Sequence, residues 1–500
     1  METHFNQPQR QSSVGILVLF FDALFQYGKA FWPILVIWVL KFNTLNIWIF
    51  ILGIPSVIVI IGLISYLKYL NFTFYLDDKN EEFIINEGVF NKTKTAIQLH
   101  KIQQVTINQS FIQKIIGVYS LDVDTAGSAS KEGKIRAISH PLALELKSRL
   151  LDNEKRTAIL ETNNFITEPI VNEQHPFITI GFWSLIKVGI TSNYVKSFSL
   201  LLIFFFTIVD YFEKATGKNV LNDGEMENYF DNDFWLQSLL IALVFLFVVV
   251  LIINLVRIIF KYFNYKITKQ KGSLLLHFGL LNTKSTIIKP EKVQITSVSQ
   301  NYFQKKMDIL ELKIKQATGG EKEERKEAID IPGCNKNEKD EILKLLFQKM
   351  PEKGVMLQPN FRKLGFALFI TIGLPLLGFY IFRVYNPSQG IAINYLVPFY
   401  VLFVGLIQYF KYKNHRLFIN DNCIILQNGA WDINNEIIEP KKIQAISTSQ
   451  LFWHKSLNIG SLTLHTAGGN LTLQLGEYSK IKEYINLWLY EIETSDSNWM

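Results

Sequence analysis

Long apolar stretches along this chain come in pairs, and each pair is followed by a segment in which apolar and polar residues alternate. The first pair is an apolar stretch beginning near Val14 and ending with Ala30–Leu40, then, after the short KFNTL, the run Asn46–Leu67. The second is Phe198–Phe212 with its lead-in, then Phe234–Phe260. The third is Leu364–Phe382, then Ile391–Phe410. A hydrocarbon core about 30 Å thick takes roughly 20 apolar residues in a helix, so the pattern predicts six spans in three hairpins. The first members of the first two pairs carry charges: Asp22 and Lys29 within Val14–Val39, Lys187 and Lys196 within Ser184–Val209. A charge at the bilayer centre costs at least ~2.5 kcal/mol. Each of these stretches therefore reads either as an interfacial lead-in helix followed by a span, or as one long tilted helix with snorkelling ends.

The alternating segments are copies of one another. His100–Ser128, Glu291–Gly319 and Lys441–Gly469 align without a gap. Lys101, Lys292 and Lys442 coincide, as do Gln103, Gln294 and Gln444, then Gln109, Gln300 and Gln450, then Lys114, Lys305 and Lys455, and finally Leu121, Leu312 and Leu462. Upstream by the same distance in each copy stand Gly88, Gly279 and Gly429. Agreement at fixed offsets is a repeat signal. Within a copy, Leu121, Val123 and Thr125 alternate with Asp122 and Asp124, the period-2 signature of a half-buried strand. SFIQKIIG reads as a helical turn rather than a strand. Each copy closes on a candidate amphipathic helix: Pro141–Leu151, Asn337–Gln348 with Asn337 as a candidate N-cap, and Ser479–Ile492. The expected unit is several antiparallel strands with a helix plugging the open end.

Composition supports a membrane setting. Hydrophobic residues make up 49% and charged residues 19% of the chain, against about 25% charged in average globular proteins. Basic residues follow each apolar pair: Lys68; Lys261, Lys266, Lys269 and Lys271; Lys411, Lys413 and Arg416. The connector Glu213–Asp233 inside the second pair is acidic, and VYNPSQG inside the third is uncharged. Positive-inside reasoning places the N-terminus and all three repeats on the cytoplasmic side of the inner membrane. The polar METHFNQPQRQSS start, without an A-x-A site, is not expected to be a cleavable signal peptide. Two cysteines, Cys334 and Cys423, exclude a disulfide framework and a four-cysteine metal site.

The residues offer no reactive constellation. G-x-x-x-x-G-K-[ST], H-E-x-x-H and G-x-S-x-G are absent, so the chain is not expected to be an enzyme, and neither a cofactor nor a metal is implied. His465 aligns with Asp124 and Lys315, which marks a solvated strand position. Lys114, Lys305 and Lys455 lie on the helical turn beside Phe111, Tyr302 and Trp453, an aromatic–basic cluster suited to a headgroup layer or a protein partner. The bland alternative is that the aromatics plug the fold and the lysines face water. Gln109, Gln300 and Gln450 end a strand where the turn begins and are suited to satisfying backbone groups there. Gly88, Gly279 and Gly429 fit turn positions with positive φ.

Lys101-Ile102-Gln103 through Gln109 to Thr125-Ala126-Gly127, and Lys442-Ile443-Gln444 through Gln450 to Thr466-Ala467-Gly468-Gly469, resemble the hallmark of the bacterial pleckstrin-homology-like domain family, in its membrane-anchored branch with three copies. The middle copy departs from it, with Val293 for isoleucine and Gln316-Ala317-Thr318-Gly319-Gly320 at the end. The resemblance covers nearly the whole chain. It implies a seven-stranded, half-open barrel capped by a helix, and a link to envelope integrity or resistance to membrane-active compounds.

The expected fold is thus an α+β membrane protein: three helical transmembrane hairpins, each followed by a small PH-like β-barrel capped by a C-terminal helix. The expected domains are a lead-in and hairpin over 1–70, a module over 71–155, a hairpin over 175–262, a module over 263–350, a hairpin over 360–410 and a module over 411–493. The function expected is a non-enzymatic scaffold docking proteins or lipid headgroups, for instance by strand addition to an open sheet edge. Its partners would be membrane lipids and a membrane protein or further copies of itself, and not nucleic acid. The competing reading is a component of a transport or secretion system. Against it, Ala242–Leu255 and Phe366–Phe379 carry no ionisable residue.

Overall fold

A computed structural model describes residues 5–40, 52–125, 133–151, 176–192, 234–270, 272–316, 328–347, 349–385 and 393–494, with single positions between 203 and 214. The KFNTL connector, most of the acidic Glu213–Asp233 connector, Lys196, and the Ala126-Gly127 and Ala317–Gly320 motif ends lie outside the described residues.

The first repeat supplies β1 (Thr73–Asp77), β2 (Glu82–Glu87), β3 (Thr93–Gln98), β4 (Ile102–Gln109), β5 (Tyr119–Thr125), β6 (Gly133–Ile138) and the helix His140–Leu151. The short β7 (Ile178–Ile180) precedes the second repeat. That repeat has β8 (Tyr265–Gln270), β9 (Ser273–Phe278), β10 (Thr283–Ile288), β11 (Val293–Gln300), β12 (Leu310–Gln316), β13 (Ile329–Cys334) and the helix Lys336–Phe347. After β14 (Val355–Leu357), the third repeat supplies β15 (Arg416–Asn420), β16 (Cys423–Asn428), β17 (Ile433–Ile438), β18 (Ile443–Ser449), β19 (Ile459–Thr466), β20 (Gly469–Glu477) and the helix Tyr478–Thr494. Each repeat is therefore two antiparallel three-strand halves and a closing helix. The helix in the second repeat is capped two residues earlier than Asn337: Asn335 Oδ1 accepts from the Glu338 N–H, and Glu338 Oε2 accepts from the Asn335 N–H, each at 2.8 Å.

The expected self-contained seven-stranded barrel is replaced by shared sheets. One sheet of seven runs β6-β5-β4-β10-β9-β8-β7, and a second runs β13-β12-β11-β17-β16-β15-β14. Each joins the last three strands of one repeat to the first three of the next. β1-β2-β3 and β18-β19-β20 form separate three-stranded sheets. The physical reason is the strand edge: six strands in two halves leave unpaired backbone donors and acceptors, and pairing with a neighbouring repeat satisfies them.

The chain divides into two compact units, residues 1–269 with 274–287 and residues 270–273 with 288–500. In the first, Phe74, Phe83, Ile97, Val105, Leu121, Val123, Ile135, Leu146 and Leu150 form a core between the two halves of the first repeat, which the N-terminal Phe5 also enters. In the second, Leu417, Ile424, Leu426, Ile438, Ile443, Leu462, Leu464, Leu473, Ile481 and Trp488 do the same for the third repeat. The recurrent leucines Leu121, Leu312 and Leu462 are all fully buried.

Two helices among the described residues are long and apolar enough to cross a membrane: Val244–Tyr262, and Arg362–Tyr385, which passes through a π turn at Phe369–Gly373. The latter packs against Ile393–Asn414, and the Tyr400 hydroxyl donates to the Thr371 carbonyl within the π turn. The charged lead-ins resolve differently. Gly15–Leu40 is one continuous helix. Its early turns lie on the first repeat, with Val18 buried against Val118 and Ala137 and Asp22 paired with Arg136 of β6 at 3.2 Å. In the second pair the lead-in is a separate short helix, Phe182–Thr191. The Ser192 carbonyl at its end accepts from Asn254 of the spanning helix at 2.6 Å.

Candidate docking site

The recurrent polar residues assemble the same turn three times. Gly88, Gly279 and Gly429 adopt φ of +112°, +113° and +116°. A Cβ there would come within 2.0 Å of the carbonyl oxygens of Asn91, Asn282 and Asp432, so only glycine fits. Gln109, Gln300 and Gln450 each donate Nε2–H to the carbonyl nine residues on, Val118, Ile309 and Ile459, at 3.2, 2.8 and 3.0 Å. That bond ties the end of the fourth strand to the start of the fifth across the helical turn. The turn itself is capped by Ser110 with Gln113 in the first repeat and by Asn301 with Gln304 in the second, both as reciprocal boxes. In the third, Leu451 supplies no such cap and the helix shortens to Phe452–Lys455.

This turn lies at the joint between repeats. In the first joint β4 pairs β10, with Gln109 opposite Thr283, Asn108 opposite Lys284 and Ile107 opposite Ser285. The Lys114 ammonium donates to the Leu280 carbonyl at 3.1 Å, and the Phe111 N–H donates to Asn282 Oδ1 at 3.1 Å. In the second joint β11 pairs β17, with Gln300 opposite Ile433 and Ser299 opposite Asn434, the same register. Here Tyr302 and Phe303 lie against Trp431, with ring centroids 6.4 and 5.7 Å apart. So Lys114, Phe111 and Tyr302 face the neighbouring repeat. The side chain of Lys305 has no partner among the described residues. In the third repeat Trp453, packed on Phe452, and Lys455 stand exposed.

Two further features escape a reading of the sequence. Lys147, on the helix His140–Leu151, is buried and donates to the Ser285 carbonyl of β10 at 3.3 Å. Desolvation pulls its pKa down to about 8. Its amphipathic register alone would have marked it as a core position. The second feature is a cavity of about 340 Å³ at the foot of the third hairpin, lined by Lys363, Gln408, Lys411, Tyr412, His415 and Gln474 among others. His415 is nearly buried, and its Nε2 accepts from the Gln474 N–H at 3.5 Å. Burial, with Lys363 and Arg416 close by, drives its pKa down to about 4, so the imidazole is neutral and the basic side chains of the cavity are Lys363 and Lys411. Basic residues at both ends of one hairpin were the available signal. The strand residue Gln474 had none. A cavity lined by two lysines, amides and a neutral imidazole suits an anionic oxygen ligand.

Residues 29–154, 221–350 and 367–489 each match the family described as bacterial PH domain. The chain is also similar to the UPF0699 transmembrane protein YdbT of Bacillus subtilis (strain 168), at 22% identity over 415 residues covering 78% of each chain.

Proposed function

The chain belongs to the bacterial PH domain family, and from that premise we propose that it is a non-enzymatic, multi-pass scaffold of the inner membrane. Three transmembrane hairpins hold three PH-like modules on the cytoplasmic face, where they dock anionic lipid headgroups and membrane-protein partners in the service of envelope integrity. The observation that carries this reading is the use made of the recurrent residues. Glycines, glutamines and Lys114 are spent on turns and on joints between repeats, a structural use rather than a reaction centre. The cavity lined by Lys363 and Lys411 at the foot of the third hairpin is the headgroup site. There, a phosphate would meet two ammonium groups at the height of the bilayer surface, where each basic side chain adds about 1 kcal/mol toward anionic lipid.

The test is extraction of the full-length protein from its native membrane into lipid nanodiscs, followed by mass spectrometry of retained lipids and proteins. The wild type is expected to retain anionic lipid, and the Lys363→Gln/Lys411→Gln pair to lose that enrichment while keeping its folded circular dichroism. Equal lipid profiles in the two proteins would remove the headgroup site. Absence of both enriched lipid and a stoichiometric protein partner would remove the scaffold.

A further inference from the structure

The two internal joints define a complementary pair of edges. The later repeat offers its third strand (β10 or β17), and the earlier repeat offers its fourth (β4 or β11), in one common register. The same pair of edges stands open at the two ends of the series. Among the described residues β3, the third strand of the first repeat, pairs only with β2, and β18, the fourth strand of the third repeat, pairs only with β19. The outer edge of the first strand of each repeat is covered. The outer side of β1 bonds to the N-terminal segment through reciprocal Gln9–Phe74 backbone bonds of 2.9 Å, β8 is covered by β7, and β15 by β14.

Burial marks the open edges as interrupted joints. Gln294, Ile295 and Ser297 of β11 are buried, whereas the equivalent Gln444, Ala445 and Ser447 of β18 are exposed. The side chains beside the edges are complementary as well. Phe90 holds, in the first repeat, the place that Trp431 holds in the third, two residues beyond the recurrent glycine, and is 96% exposed. Phe452 and Trp453 hold the places of Tyr302 and Phe303 and are 76% and 52% exposed. At the internal joint these places are in ring contact. At the ends they are the two separated halves of that contact. Lys94 and its neighbours do not forbid pairing, because Lys284 already sits within the paired β10.

We propose that copies of this chain associate head to tail, β18 of one copy adding to β3 of the next in the register of the internal joints, with Phe90 seated on Phe452 and Trp453. The register transfers directly: Ser449 faces Thr93 and Thr448 faces Lys94, as Ser299 faces Asn434 and Val298 faces Asn435. The interface is heterologous, each copy presenting one edge and accepting on the other, so association extends into strips or closes into rings. The ladder supplies backbone hydrogen bonds and the aromatic seat supplies the choice of partner.

The experiment mixes two differently tagged full-length proteins in liposomes, one carrying Ser449→Cys and the other Thr93→Cys, and oxidises them. A second mixture pairs Thr448→Cys with Lys94→Cys. Adjacent antiparallel pairs alternate between the hydrogen-bonded and the closer non-hydrogen-bonded geometry, so one of the two suits a disulfide. The native Cys334 and Cys423 are buried. The corresponding internal pairs, Ser299→Cys with Asn434→Cys and Val298→Cys with Asn435→Cys, each built into one chain, control for the chemistry. Expected is a disulfide-linked dimer carrying both tags, formed in the mixtures and not by either protein alone, and reduced severalfold by Phe90→Ser. Internal crosslinks without mixed dimers would overturn the proposal. So would a doubly substituted chain, Ser449→Cys with Thr93→Cys, that only closes on itself, or a monomer carrying a different protein on β18.

Discussion

Where β4 meets β10, the neighbouring repeats are held by polar groups. Lys114 reaches the Leu280 carbonyl, Thr106 lies 3.5 Å from Thr286, and the buried Lys147 reaches the Ser285 carbonyl. Where β11 meets β17, Lys305, Ser297 and Glu436 take the places of Lys114, Thr106 and Thr286, and apolar contacts are prominent. Tyr302 and Phe303 clasp Trp431, and Leu343, which takes the helical place of Lys147, packs with Cys423, Ile425 and Ile437. The register is nonetheless the same. The difference teaches that the backbone ladder and the glycine turn set the joint, and that side chains only adjust its strength and its response to pH.

The largest break in that comparison is expected at what the joints share. Gly279→Ala and Gly429→Ala each force a Cβ against a carbonyl at a φ that L-residues avoid, at a cost of ~1–3 kcal/mol from the backbone alone. Thermal unfolding of the full-length protein in detergent, followed by circular dichroism, is expected to show similar losses for both variants. A loss at only one of the two would mean that the joints are not built alike.

A smaller change sharpens the difference. Lys147→Leu gives the first joint the residue type of the second. The wild-type lysine is held at a pKa of about 8 against an ordinary 10.5, which corresponds to a burial penalty of about 3 kcal/mol. Below pH 8 both folded and unfolded forms carry the proton and the penalty is complete. Between pH 8 and 10.5 the folded form releases it first, so wild-type stability rises with pH. Lys147→Leu is expected to be more stable than wild type at pH 7 by ~2 kcal/mol, and to lose the rise between pH 8 and 10.5. A destabilised variant would show that the bond to Ser285 outweighs the desolvation.

The parts legible in the sequence follow the same division. Recurrent Gly88, Gln109 and Leu121 and their counterparts marked turn, tie and core, because a constraint repeated in three copies survives divergence around it. Period-2 alternation gave the strand β5 but not its burial, since Asp122, expected on the polar face, is buried and accepts from Asn108 at 2.7 Å; the helical turn at Phe111–Ile116 was readable. The joints were not readable, because strand partners outside a repeat leave no local signature: Asn282 and Leu280 look like any turn residues until they accept from Phe111 and Lys114. Nor could the aromatic–basic cluster be assigned to a neighbouring repeat rather than to a headgroup layer, since both surfaces ask for the same residue types. Lys147 failed the rule that charges lie outside, a rule that a carbonyl partner locally offsets.

The smallest expected effect separates anchoring from decoration within the joints. Trp431 is half exposed, and its contacts with Tyr302 and Phe303 are edge-on or tilted. Such contacts are worth about 1 kcal/mol beyond burial, while the ladder beneath them spans five residue pairs. Trp431→Ala is therefore expected to lower stability by ~1 kcal/mol, and Leu281→Ala, its counterpart at the first joint, by ~0.5 kcal/mol or less. Proteolysis rates at the β16–β17 turn, compared with those at β9–β10, resolve a difference of this size. If both variants match wild type, the aromatic seat contributes nothing to a joint already closed by its backbone. Phe90 would then serve only to select which edge β18 accepts, since selection needs a penalty for the wrong partner and not a gain in stability for the right one.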